Sequence, residues 1–130
     1  MTLSDELLGL LRKPSLCFIA TTMPNGSPQL TETWVDTDGE NVVINTVEGF
    51  QKVRNIARDP RVSVAIADAE NPTRYFQVRG TVIETRTEGA AEHIDALSHK
   101  YTGQNYPWYG GRDQTRVMLI IRPDKVGSQG

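Results

Sequence analysis

Basic side chains gathered where a strand gives way to a helix are one means of holding an anion. Between Asn45 and Val62 the chain carries four of them, Lys52, Arg54, Arg58 and Arg61, on a segment whose spacing turns helical at Gly49. Free amides at a helix N-terminus attract anions, and Lys52 or Arg54 can add charge-assisted hydrogen bonds to a phosphate. Not every basic group can reach one ligand, because Lys52 and Asn55 share one helical face while Arg54 and Arg58 share another. A solvated helix whose charges serve solubility fits the same pattern, and spacing alone leaves both readings open.

Other reactive side chains point elsewhere. His93 and His99 fall on an expected helix over 88–101 with no acidic or hydroxyl partner at catalytic spacing, which predicts surface or structural roles. Cys17, inside an apolar strand, reads as inert core. No nucleophile, base and orienting group can be assembled into a triad, and one cysteine with two histidines is too few soft ligands for a zinc site. No residue is singled out as catalytic. Such a chain does chemistry through an organic cofactor that the protein positions.

The elements that must position these residues follow from periodicity. Ser4–Lys13 is a capped helix with a leucine face ended by Pro14, and Ser15–Thr22 is an apolar strand turned by Asn25-Gly26 into a second strand, Gln29–Val35. A turn at Thr37–Glu40 leads to a β-branched strand, Asn41–Thr46, and a short helix from Phe50 ends at Asp59-Pro60. Strands are expected at Arg61–Asp68, Arg74–Arg86 and Arg116–Ile121, with the 88–101 helix and an aromatic, glycine-rich loop between the last two. Six largely antiparallel strands with short flanking helices predict a β-rich, closed or nearly closed barrel.

Size and charge bound the partners. With 130 residues, 38% of them hydrophobic, the chain is expected to form one domain, and its net charge of -2 disfavours nucleic acid. The first helix is amphipathic and acidic at its start, without an export core or a bilayer-spanning run, so a cytoplasmic protein with no membrane partner is expected.

A set of residues then carries a family likeness. Thr46, Lys52-x-Arg54-Asn55 and Arg58-Asp59-Pro60-Arg61-Val62, preceded by the hairpin Ala20–Gln29 and by Trp34, resemble the split β-barrel superfamily of pyridoxamine 5′-phosphate oxidase-like flavoproteins. Within it the chain is most similar to small single-domain members that use the deazaflavin coenzyme F420. The resemblance implies the six-stranded, FMN-binding type of split barrel and a homodimeric oxidoreductase that exchanges a hydride between F420 and a small organic substrate. An FMN-dependent oxidase or reductase, or a non-catalytic flavin or haem carrier, is the alternative.

It further implies a cofactor site that includes Asn45 and has Thr46, Lys52 and Asn55 around the phosphate, with Gln51 and Arg54 as neighbours. Leu30, Thr31, Thr33 and Trp34 would lie under the ring. The loop Gln104–Tyr109, with Trp108, would close over the ring held by a second subunit. The longer C-terminal segment of true pyridoxamine phosphate oxidases has no counterpart before Gly130, so pyridoxamine phosphate is not the expected substrate.

Overall fold

The computed structural model describes residues 2–128 and resolves the chain into three helices and seven strands. Helix α1 (Asp5–Arg12) begins where the Ser4 hydroxyl accepts from the Leu7 amide at 3.2 Å, and buries Leu7, Leu10 and Leu11. Its leucine stripe packs on the sheet as the spacing predicts. The strands are β1 (Leu16–Thr22), β2 (Pro28–Glu32), β3 (Asp36–Thr37), β4 (Val42–Val47), β5 (Arg61–Ala67), β6 (Tyr75–Arg86) and β7 (Arg116–Ser128). Helix α2 (Gln51–Arg58) joins β4 to β5, and α3 (Ala90–Thr102) joins β6 to the loop before β7. Among the described residues no helix is long and apolar enough to cross a membrane.

All pairings are antiparallel, in the order β2-β1-β5-β6-β7-β4-β3, so the sheet curls without closing and β2 and β3 are its edges. The expected six strands are seven. Asp36 and Thr37, read as the approach to a turn, pair with Val43 and Val42, and a two-residue strand is too short to show alternation. The second strand stops at Glu32 rather than Val35, with one further backbone bond from the Thr33 amide to the Cys17 carbonyl at 2.9 Å. The last strand runs on past Ile121 through Pro123 to Ser128. A register shift between Arg79 and Gly80 accommodates Pro123, which cannot donate to the ladder.

Gly80 is required there because a Cβ would lie 2.6 Å from the Arg122 carbonyl oxygen and 2.7 Å from Ile121 Cγ2. Gly80→Ala is therefore expected to lower unfolding free energy by roughly 1–3 kcal/mol, the usual cost of overpacking, in urea titration.

A cluster of charges pins α1 to the far end of β5. Asp68 accepts from Lys13 Nζ at 3.0 Å and from Arg74 Nη1 at 3.2 Å, while Arg74 Nη2 lies 3.6 Å from Glu6. Lys13, the Glu70 amide and Arg74 hold the Asp68 carboxyl below its ordinary 3.8. A carboxyl depressed in the folded state contributes stability above its unfolded value and loses it as pH falls. Asp68→Asn should thus be less stable than the native chain at pH 7, with the gap shrinking once pH drops below 3.8; equal gaps at both pH values in urea unfolding would refute this.

Candidate functional site

The corner between β4 and α2 has two half-buried cations that no carboxylate pairs with among the described residues. Lys52 sits in the first turn of α2, and Arg116 opens β7 opposite Val47. Among the described residues neither makes an ion pair, and Lys52 makes no hydrogen bond. Burial draws the Lys52 ammonium below its ordinary 10.5, and repulsion from Arg116 lowers it further. Burial likewise draws Arg116 down against the favourable pull of Tyr106. The amides of Gln51 and Lys52 have no backbone acceptor, since the first helical bonds are made by Val53 and Arg54 to Phe50. Phe50 offers no side-chain cap, and the first turn holds no acid. Two uncompensated cations beside two free amides are complementary to a phosphate.

Beside this corner lies a cavity of about 400 Å³, lined in part by Thr33, Trp34, Asn45, Tyr101, Tyr106 and Arg116. Trp34 and Tyr101 stack with centroids 5.1 Å apart and planes 13° from parallel. Tyr106 meets the Trp34 ring edge-on at 6.4 Å and carries Arg116 over its own face at 5.3 Å. Tyr101 is fixed by its hydroxyl, which donates to the Ser15 carbonyl at 2.7 Å and accepts from the Val35 amide at 3.2 Å. Burial pushes that phenol up to about 12, so it stays protonated as a structural donor. The result is a flat aromatic wall next to an anion-attracting corner.

The residues expected around a cofactor divide in three. Thr33, Trp34 and Asn45 line the cavity, and Lys52 stands at the corner. Thr31 lies on edge strand β2 opposite Ile19, its hydroxyl buried with no partner among the described residues, whereas Leu30 points out at 65% exposure. Alternation along β4 puts Asn45 on the α3 side with Val43, and Thr46 on the other side with Ile44. Gln51, Arg54 and Asn55 are tied to one another: Gln51 donates to Asn55 Oδ1 at 2.8 Å and accepts from Arg54 at 2.5 Å. Asn55 is fully buried, with its Nδ2 donating to Thr21 Oγ1 at 3.0 Å. Arg58, on the helical face it shares with Arg54, bonds the Thr22 carbonyl and Asn55.

The aromatic loop folds onto its own chain. Tyr106 and Tyr109 line the cavity, while Trp108 stands behind Tyr106 at 5.4 Å with Arg112 over its ring at 5.0 Å. Trp108 has φ 53, a left-handed conformation uncommon for a bulky residue.

Both histidines have acidic neighbours, where none at catalytic spacing was expected. His93 Nε2 is 2.9 Å from Asp36 Oδ2, and His99 Nε2 is 3.7 Å from Asp95 Oδ2 and 2.7 Å from Asn105. Asp95 lies four residues before His99, a helical spacing that signals the second pair. Asp36 is 57 positions from His93, so only the fold brings them together. Arg116 was likewise hidden, because its partner Asn45 is 71 positions away.

An open antiparallel split barrel, with an aromatic cavity beside a cationic helix start, has the fold of flavin- and F420-type oxidoreductases. The family model described as pyridoxamine 5′-phosphate oxidase matches residues 3–130, and the chain belongs to that family. A solved F420 reductase is 28% identical, with a TM-score of 0.83, over 96% of this chain and 98% of that one. A conserved hypothetical protein from Mycobacterium tuberculosis is 25% identical, with a TM-score of 0.75, over 99% of this chain and 86% of that one. General stress protein 26 of Bacillus anthracis shares the fold at 14% identity and TM-score 0.72, over 96% and 92% of the two chains.

Proposed function

We propose that this protein is an F420-dependent oxidoreductase acting on a small organic substrate as a homodimer. The observation that carries the reading is the likeness to the solved F420 reductase across nearly the whole of both chains. The site's own chemistry supports it. Lys52, Arg116 and the amides of Gln51 and Lys52 neutralise the cofactor's phosphate, and Trp34 on Tyr101 offers a planar surface to its ring. Tyr106 and Tyr109 screen the ring from water. The unpartnered Thr31 hydroxyl is a further hydrogen-bonding group on β2. Bound F420 supplies a two-electron hydride carrier, which suits a site holding no triad of acid, base and nucleophile. Exposed Leu30 on the edge strand and Tyr109, 81% exposed, offer apolar surface to a second subunit.

FMN is the second reading, favoured by membership of the pyridoxamine 5′-phosphate oxidase family. Titrating the purified protein with each cofactor and following tryptophan fluorescence and visible absorption separates the two. Micromolar binding of F420 with weak FMN binding is expected. The reverse order would overturn the choice of F420, and binding of neither would overturn the oxidoreductase reading.

A further inference from the structure

Arg116 faces the cavity without a carboxylate to hold it, and what holds it is a line of neutral and charged groups reaching back to the edge strand β3. Its Nε donates to Asn45 Oδ1 at 2.8 Å, and its Nη1 donates to the Tyr106 hydroxyl at 3.3 Å. Asn45 is buried, and its Nδ2 lies 2.9 Å from the Ala90 carbonyl and 3.0 Å from His93 Nδ1. Those contacts permit one orientation of the amide. Reversing it would turn its NH2 toward the Arg116 Nε–H and its oxygen toward the Ala90 carbonyl, setting donor against donor and acceptor against acceptor.

The orientation of Asn45 dictates the state of His93. With Asn45 Nδ2 as donor, His93 Nδ1 must accept, so the ring proton sits on Nε2 and is donated to Asp36 Oδ2 at 2.9 Å. Burial alone would raise the Asp36 carboxyl, but His93, the Thr37 amide and Lys100 outweigh it and keep it ionised. The charged groups around the ring are Asp36 on β3, Lys100 of α3 at 3.9 Å from Asp36, and Arg116 of β7 beyond Asn45. A second proton on the ring would have to enter at Nδ1, against the Asn45 NH2.

We propose that His93, anchored by Asp36, is a positioning residue that locks the Asn45 amide and so presents the Arg116 guanidinium to an anionic group in the cavity. This rests on the reading of the corner as a phosphate site, and adds two residues, Asp36 and His93, that act through Asn45 and Arg116. A filler of apolar side chains would bury the same surface but would remove one of the three contacts that hold the Asn45 amide. The line Asp36, His93, Asn45, Arg116 fixes a direction as well as a position.

The test uses the full chain without cofactor first. Long-range proton–nitrogen NMR at neutral pH should show His93 with Nδ1 bare and Nε2 protonated. The Arg116 Nε–H should give a protected signal in the native protein and in His93→Asn, whose amide oxygen can replace Nδ1 as acceptor, and lose protection in His93→Phe. Asn45→Asp, which needs a donor from the ring, should make His93 doubly protonated at the same pH. A native ring protonated on Nδ1, an Arg116 signal still protected in His93→Phe, or a ring in Asn45→Asp that stays singly protonated overturns the proposal.

Where F420 binds, His93→Phe should weaken it about tenfold with His93→Asn close to native. Equal affinities in all three overturn the positioning role. Failure of the native protein to bind F420 or FMN, with the NMR signatures as expected, instead counts against the phosphate reading while the lock itself stands.

Discussion

Lys52→Met should give a protein that is more stable without cofactor and binds cofactor on the order of 10–100-fold more weakly, the loss expected for one charge-assisted hydrogen bond to phosphate. Folding moves Lys52 into a half-buried position beside Arg116 with no ion-pair partner among the described residues, and burial with the Arg116 repulsion draws its pKa below 10.5. A lysine whose folded value is lowered holds its proton more weakly folded than unfolded, so its charge opposes folding. Removing the charge by mutation relieves that opposition. Raising pH should do the same in the native protein: the Lys52 contribution to stability climbs as pH passes from the lowered value toward 10.5. Methionine keeps the aliphatic stem that packs at the helix start.

Arg116→Met separates the two roles a cation can have. It too should weaken cofactor binding, but it should lower the stability of the free protein. Its loss leaves Asn45 Oδ1 buried without its 2.8 Å donor and takes the guanidinium off the Tyr106 face. Thermal melts of the two variants without ligand should therefore move in opposite directions, while fluorescence titrations move together. If Lys52→Met melts lower than the native chain, or binds F420 and FMN as tightly, the corner is not an uncompensated anion site.

The pattern of the fold was legible because most of it is written locally. Leucine spacing with a Ser4 cap marks α1, and the alternation of Phe76 and Val78 with Tyr75, Gln77 and Arg79 marks β6 and its buried face. What escaped local reading depends on partners. Asp36 and Thr37 become a strand only because β4 lies beside them, and Pro123 can sit within β7 only because the bulge opposite Gly80 absorbs it. The candidate site was legible in the same measure. Lys52 and Trp34 belong to short, distinctive stretches, whereas Arg116 looks like any strand start until Asn45 and Tyr106 are seen beside it. Trp34 lies just past the end of β2 at Glu32, and its stacking partner Tyr101 comes from α3, far along the chain.

Asn55 shows why sharing a helical face with Lys52 does not imply sharing a task. The side chain is fully buried, and each of its polar atoms has a protein partner: Nδ2 donates to Thr21 Oγ1 at 3.0 Å and lies 3.4 Å from Met23 Sδ, while Oδ1 accepts from Gln51 at 2.8 Å. These bonds fasten α2 to the end of β1, and through Gln51 they set the first turn whose amides face the corner. Asn55→Ala removes an anchor between α2 and β1, leaves the Gln51 amide and the Thr21 hydroxyl without it, and opens a void. A loss of roughly 2–4 kcal/mol in urea unfolding is expected, from one or two orphaned polar groups plus the cavity. Cofactor affinity of the folded fraction should fall less than in Lys52→Met, because the cation and the free amides remain. The opposite pattern, with stability near native and binding abolished, would make Asn55 a direct ligand of the phosphate and would redraw the corner around it.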